Sequence, residues 1–433
     1  MIHEATQPQL IDVRELMREV SIEDLCRTAD EFFKTVDWKT IQAKPFADIV
    51  ETPDLLICFA HVIRGLHLLP NMTVLDFGAG TCWTSRFLSQ LGLKVIALDV
   101  SSSALEIGRD LYRKLPLLGS RPKPEFLVFD GQQIDLADRS VDRVTCWDAF
   151  HHVPNPRQVI SEIGRVLKDG GIAGFSEPGP EHSKTEQSQY EMRTNRVIEN
   201  DVNISEIWMA AQEARFTDIK LAVFNAEPAL MSLENFDRYI KGEPQVGEAY
   251  LSTGRAQMQQ RRLFFLYKGE QRELIDSRQR SGLRGELRVL TSSTRVRQGE
   301  TIQLQVSVEN TGRAVWLPTP EQPRPWWQRG PFSRVGRRPH MGPDRVPPRV
   351  GGVRLGLQLL NAKGELLDID YFRYHLTPHE GREIHPGEKV EFSVAVPMLR
   401  RGNYILQCDL VSEHVCWFER TGTAPRRLTV EVT

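Results

Sequence analysis

The chain has 433 residues, a formal charge of -2, six cysteines and 26% charged residues. That length exceeds one ordinary core, so at least two domains are expected, and the near-neutral charge gives no reason to expect nucleic-acid or anionic-surface affinity. The opening MIHEATQPQLIDVRELMREV lacks the basic-then-apolar order of a secretory signal, no apolar run reaches the roughly 18 residues of a membrane span, and the cysteines form no CxxC pair, so the expectation is a cytoplasmic protein with reduced, packed thiols.

In chain order, residues 9 to about 70 read as largely helical, ending in the amphipathic DLLICFAHVIRGLHLL. From Val74 to about Gly171, apolar runs alternate with helical patterns: TVLDF, KVIALDV, EFLVFD, RVTCWDAF and GIAGFSEP, with RQVISEIGRVLK before the last. Such alternation predicts a parallel sheet with right-handed crossovers and helices on both faces. FTDIKLAVFN and RRLFFLYKG would add an antiparallel edge pair. Residues 1–270 therefore read as one domain and the polar 271–282 stretch as a linker. From 283 to 433 short alternating segments predict a β-sandwich of immunoglobulin-like size: GELRVLTSS, TIQLQVSVEN, VRLGLQLLN, KVEFSVAVP, NYILQCDLV and RRLTVEVT. The proline-rich stretch beginning PTPEQPRPWWQRG reads as a long insertion in it.

The turn DFGAGTCWTS carries the first chemical signal. A phosphate-binding P-loop needs a Gly-Lys-hydroxyl ending, which is missing. A dinucleotide fingerprint needs a third glycine for close helix packing, and Trp83 occupies that place. What remains is a strand ending in Asp76, a turn through Gly78 and Gly80, and later acidic residues at the ends of KVIALD (Asp99) and EFLVFD (Asp130, followed by Gly131). Asp99 lies about 20 residues past the turn, where a carboxylate can accept ribose hydroxyls.

In this order of elements, residues 70–180 resemble the class I S-adenosylmethionine (SAM)-dependent methyltransferases. The resemblance implies a Rossmann-like sheet and SAM as cofactor. It further implies that Asp76 helps hold the methionyl ammonium, that Gly78 and Gly80 let the backbone approach, and that Asp130 and Gly131 lie by the adenine. RVTCWDAFHHVPNP and LKDGGIAGFSEP resemble the family's fourth and fifth strands with their loops. Cys82 stands where the family's pattern has a third glycine.

Residues following strands four and five are the acceptor candidates, because ligands of open parallel sheets lie beyond the strands' carboxyl ends. These are Trp147, Asp148, His151, His152, Glu177 and His182, with Asp148 also read as cofactor-binding. Histidine has the pKa to take a proton from a hydroxyl, so His151 or His152 is a candidate base; the bland alternative is a helix cap or a packed ring. Glu177 and His182 could form a second acid-base set, or line an ordinary loop. Clustered His, Asp and Glu could also hold a divalent metal that orients two neighbouring hydroxyls, but no spacing here is diagnostic of one, and the expectation is no metal. The segment from Lys184 to Phe216 reads as a lid or acceptor-pocket insertion, or as helical cover for the sheet.

The second domain resembles immunoglobulin-like accessory domains found beside bacterial glycan-handling enzymes, on VSVENTGRAVW, HPGE and GNYILQCDLVSEHVCWFE. Trp316 and Trp417 read as core residues, Trp326 and Trp327 beside Arg324 and Arg329 as a possible sugar-binding face or a mobile loop. The leading expectation is a SAM-dependent methyltransferase acting on a saccharide hydroxyl in surface-polysaccharide biosynthesis, with glycan-assembly proteins as partners and no nucleic acid. The alternatives are methylation of a small lipid or quinone-like metabolite, and a non-catalytic glycan-binding or assembly protein.

Overall fold

The computed structural model describes residues 10–433 except 70, 120, 226–227, 229, 272–274, 292, 320–349, 378–380 and 399. The chain divides into two compact units, Met1–Arg272 and Glu273–Thr433. No described helix is long and apolar enough to cross a membrane.

The first unit begins with four helices: α1 (Val13–Glu19), α2 (Ile22–Thr35), α3 (Trp38–Gln42) and α4 (Glu51–Gly65). Each of the first three starts on a side-chain cap, Asp12, Ser21 or Asp37 accepting a backbone N–H two or three residues on, which satisfies amides that a helix start leaves without partners. Then follow β1 (Thr73–Phe77), α5 (Trp83–Gln90), β2 (Lys94–Asp99), α6 (Ser102–Lys114), β3 (Glu125–Val128), β4 (Val141–Trp147), α7 (Pro156–Val166) and β5 (Leu167–Pro178). The unit closes with α8 (Glu186–Asn195), α9 (Ile204–Glu213), β6 (Phe216–Leu221), α10 (Leu233–Ile240), α11 (Pro244–Gln260) and β7 (Arg261–Lys268).

The sheet order is β3-β2-β1-β4-β5-β7-β6. Strands β1 to β5 pair in parallel, and β7 runs antiparallel to both β5 and β6. The unit has the Rossmann-like sheet that the resemblance implies, with added N-terminal helices. The two late strands do not form an edge pair in chain order: β7 is inserted beside β5, and β6 becomes the edge. Burial explains the choice, since β7 is an almost unbroken apolar run covered on both faces while most of β6 is exposed. The β2–β1–β4–β5 centre buries Leu75, Leu98, Val144 and Phe175 on one face and Val74, Val95 and Ile172 on the other. All five parallel strands end at one edge, and that edge carries the turns described below.

The second unit is β-rich. One sheet has the order β13-β10-β8 and the other β12-β11-β14-β16-β9, with β15 pairing β14. These are β8 (Glu286–Thr291), β9 (Arg295–Val296), β10 (Thr301–Glu309), β11 (Val353–Asn361), β12 (Leu366–His375), β13 (Lys389–Pro397), β14 (Gly402–Ser412), β15 (Cys416–Trp417) and β16 (Arg426–Val432). Inward residues of both sheets, such as Leu304 and Val306 from β10 with Leu355 and Leu357 from β11, share one core. Trp316 lies in it, edge-on to Phe418 at 5.3 Å, and Trp417 is buried under the Arg373 guanidinium. The end of the expected linker belongs to this unit: Ile275 is in its core, and Ser277 bonds to Gly351, Leu317 and Ser412. Trp326, Trp327 and their neighbouring arginines lie outside the described residues.

Candidate active site

The first turn is built as its sequence demands. Gly78 and Gly80 both have left-handed backbone angles, φ 67° and 50°, which glycine adopts without strain. A Cβ on Gly78 would lie 2.2 Å from Ala149 Cβ, so the turn also needs glycine for space. Asp76 is buried at the end of β1; its Oδ2 accepts hydrogen bonds from Thr84 (2.7 Å) and Ser85 (2.5 Å). Its Oδ1 is buried without a partner. Burial raises the Asp76 carboxyl to about 6, against the opposing bonds from Ser85 and Thr84. A buried acceptor with an open lone pair beside a glycine turn fits the ammonium that the family resemblance assigns to it.

Asp99 spends one oxygen on the Gly80 N–H (2.7 Å) and the other on the Ser101 N–H (2.9 Å). It therefore stitches the glycine turn to the start of α6, and keeps further lone pairs for a ribose. Asp130 is exposed, and its Oδ1 closes a turn on the Gln132 and Gln133 amides. Gly131 has no room for a side chain: a Cβ there would meet Ile22 Cγ2 of α2 at 2.4 Å. Phe33 of the same helix is the nearest group to Gly80, 4.0 Å from where a Cβ would stand. Asp30 of α2 accepts from Ser101 and Ser102 Oγ and the Ser103 N–H. Helix α2 thus lies across the turns that follow β1, β2 and β3. Sequence reading missed this because residues 9 to about 70 read only as largely helical, and nothing in such a pattern names the surface a helix covers.

The second cluster stands at the ends of β4 and β5. Asp148, at φ 45°, is clamped by Arg261 of β7 at 2.7 and 3.2 Å, so the carboxylate expected to serve the cofactor is engaged within the sheet edge. Glu177 is fully buried. Its Oε1 accepts the Ala149 and Phe150 amides (3.1 and 3.0 Å), and its Oε2 meets His151 Nδ1 at 2.8 Å. Glu177 is therefore a positioning residue that builds the 3₁₀ turn Phe150–His152, and not the partner of His182 that the sequence suggested. His182 pairs instead with Glu199, Nε2 to Oε2 at 2.7 Å. His151 is buried between the two carboxylates, with its Nε2 3.7 Å from Glu199 Oε2. Burial disfavours its charged form, but Glu177 and Glu199 outweigh this and raise its pKa. His152 sets Nδ1 on the Ile198 carbonyl at 2.6 Å.

All three predicted histidines thus converge, the ring centroids of His152 and His182 lying 3.9 and 5.0 Å from that of His151. Glu199, in the loop between α8 and α9, was missed. It sits in RVIENDVN with no spacing signal, and only the packing of the 184–216 insertion brings it to the histidines. A cavity of about 660 Å³ opens beside the cluster, lined by Phe150, His151, Asn155, Arg157, Val202 and Met209 among others.

Comparison with known proteins finds methyltransferases along the same stretch of sequence. Residues 75–175 match the family model of a methyltransferase domain. The matched stretch runs from within β1 into β5 and contains the glycine turn, Asp99, Asp130 and the two adjacent histidines. Among curated relatives, the demethylmenaquinone methyltransferase of Renibacterium salmoninarum is 32% identical over 142 residues, 32% of this chain and 56% of that protein. The ubiquinone biosynthesis O-methyltransferase of Nitrosomonas europaea is 32% identical over 109 residues, covering 25% and 44%. The chain spans about half the length of the curated relatives it matches. Among solved structures, a phosphoethanolamine N-methyltransferase 2 of Haemonchus contortus is 18% identical with a TM-score of 0.41, covering 58% of this chain and 61% of that one.

Proposed function

We propose that the first unit is a SAM-dependent methyltransferase whose acceptor is a small quinone-like ring metabolite carrying a hydroxyl. The observation that carries the cofactor half is Asp76, a buried carboxylate with one oxygen unpartnered at the mouth of the glycine turn. When bound, SAM supplies an electrophilic methyl group on a sulfonium, so the protein's work is alignment and proton removal.

The residues for both are on one strand edge. Asp76, the Gly78–Gly80 turn and Asp99 would hold the methionyl and ribose parts, with Asp130 and Gly131 at the adenine end under α2. The acceptor would enter the cavity beside His151, whose volume suits a small-molecule ligand. Its hydroxyl proton passes to the imidazole cluster, where His182 faces Glu199 and can share the positive charge. Relatives named for demethylmenaquinone and ubiquinone support the ring acceptor. The saccharide acceptor expected from the sequence draws no support from them.

Two measurements test this. Calorimetric titration with SAM should saturate, and no heat at millimolar cofactor would sink the assignment. Release of S-adenosylhomocysteine should then rise on adding a reduced naphthoquinol or benzoquinol acceptor and stay at background with monosaccharides and oligosaccharides. The opposite ranking would return the acceptor to the saccharide class.

A further inference from the structure

His151, His152 and Glu199 each offer a ligand atom within 4.8 Å of the others. We infer that these three side chains form a binding site for a divalent first-row transition-metal ion, with two imidazoles and one carboxylate as ligands. The inference stands on the arrangement around them. A histidine that ligates a metal almost always donates its other ring N–H to a carboxylate or backbone carbonyl. His151 does so to Glu177 at 2.8 Å, and His152 to the Ile198 carbonyl at 2.6 Å. His151 is thereby left with Nε2 to offer, whereas the His152 nitrogen nearest Glu199 is the same Nδ1, 3.6 Å from Oε1, which must leave the carbonyl to become a ligand. The ligand carboxylate is held in turn, by His182 Nε2 at 2.7 Å and Ser188 Oγ at 3.5 Å.

Distances separate this from a plain hydrogen-bond network. His151 Nε2 stands 3.7 Å from Glu199 Oε2, beyond the roughly 3.2 Å of an N–H···O bond. A metal about 2.1 Å from each atom at a tetrahedral angle holds N and O about 3.4 Å apart. The ion's charge would also offset the two carboxylates, Glu177 and Glu199, that flank one buried imidazole. Two imidazoles favour Zn²⁺ or Co²⁺ over Mg²⁺, Ca²⁺ or Mn²⁺, which take oxygen shells. Three protein ligands leave positions open toward the cavity that His151 lines, where an acceptor oxygen could bind and lose its proton more easily; with the ion bound, this would replace proton uptake by His151 or His152, whose ring nitrogens would then be ligands. That last use rests on the methyltransferase reading; the site itself does not.

The test is titration of Co²⁺ into the full chain after removal of metals with a chelator. One equivalent should bind with visible d–d absorption, be displaced by Zn²⁺ and resist excess Mg²⁺. Glu199→Gln and the half-exposed His152→Ala should each weaken binding about a hundredfold, and Glu177→Gln by about 10–100-fold through loss of the outer partner, with circular dichroism reporting that each variant is folded. Failure of the wild-type chain to bind Co²⁺ one-to-one would overturn the site. So would wild-type affinity in His152→Ala and whichever other variant folds. SAM titrated into the same metal-stripped chain reads the cofactor assignment separately, so loss of one does not masquerade as loss of the other.

Discussion

Cys82 shows how a single position departs from the pattern of the family the chain resembles while the turn keeps its left-handed backbone. It takes the left-handed conformation at φ 64°, which costs a non-glycine residue about 1–2 kcal/mol. The room for its thiol comes from Gly108 on α6, where an added Cβ would stand 2.4 Å from Cys82 Sγ. The two positions are therefore coupled. Gly108→Ala should destabilise the chain by about 1–3 kcal/mol through overpacking, and by less than about 1 kcal/mol in a Cys82→Gly background, a difference that denaturant titration of the double-mutant cycle measures. Asp76 makes a second prediction at this scale. With its carboxyl raised to about 6 by burial, it holds a proton below that pH and offers no charge to an ammonium. SAM affinity should be full above pH 7 and fall by about tenfold per unit below 6. Calorimetry at pH 5 and 7.5 checks this; Asp76→Asn should bind weakly with most of the slope gone, and a flat wild-type profile would remove Asp76 from the cofactor.

Helix α2 is the element whose role was least visible in advance. No residue of it is fully buried, yet Ile22, Phe33 and Asp30 reach three successive turns of the sheet edge. Asp30 also places a negative charge at the N-terminus of α6, where the helix dipole favours it. Asp30→Asn should cost about 1 kcal/mol and speed amide exchange along Ile22–Thr35 while leaving the sheet's exchange unchanged. A uniform acceleration through β1, β2 and β4 would instead mean that α2 is integral to the core. Strand β12 teaches the converse lesson. It was missed in the sequence because LLDIDYFRYH has an edge strand's mixed exposure, whereas β10 and β14, which alternate or run continuously apolar, announced themselves.

For the whole molecule, each unit has its own apolar core, one around β1, β4 and β5 and the other between the two sheets of the second unit. Separation at Arg272/Glu273 should yield two pieces that fold unaided, the first binding SAM with the affinity of the full chain. Cutting at 282 instead should destabilise the second piece, because Ile275 and Ser277 are lost from its interior. Circular dichroism and thermal unfolding of the two constructions of residues 273–433 and 283–433 distinguish these outcomes.

What the amino-acid order by itself determined is local and periodic. The strand-helix alternation gave the parallel sheet, because backbone geometry ties hydrophobic period to element type, and the two glycines with Asp76 and Asp99 marked the turn, because only certain residues tolerate such angles. The three histidines were legible as candidates for the same reason that their residue type is scarce and reactive. Only the tertiary structure decided their partners. Glu177 turned inward to build the turn beneath His151, Arg261 took Asp148 from a strand 113 residues later, and Glu199 arrived from an insertion with no motif. Each of these contacts joins segments far apart in the chain, and their pairing is set by packing between elements, which leaves no period in either segment to read.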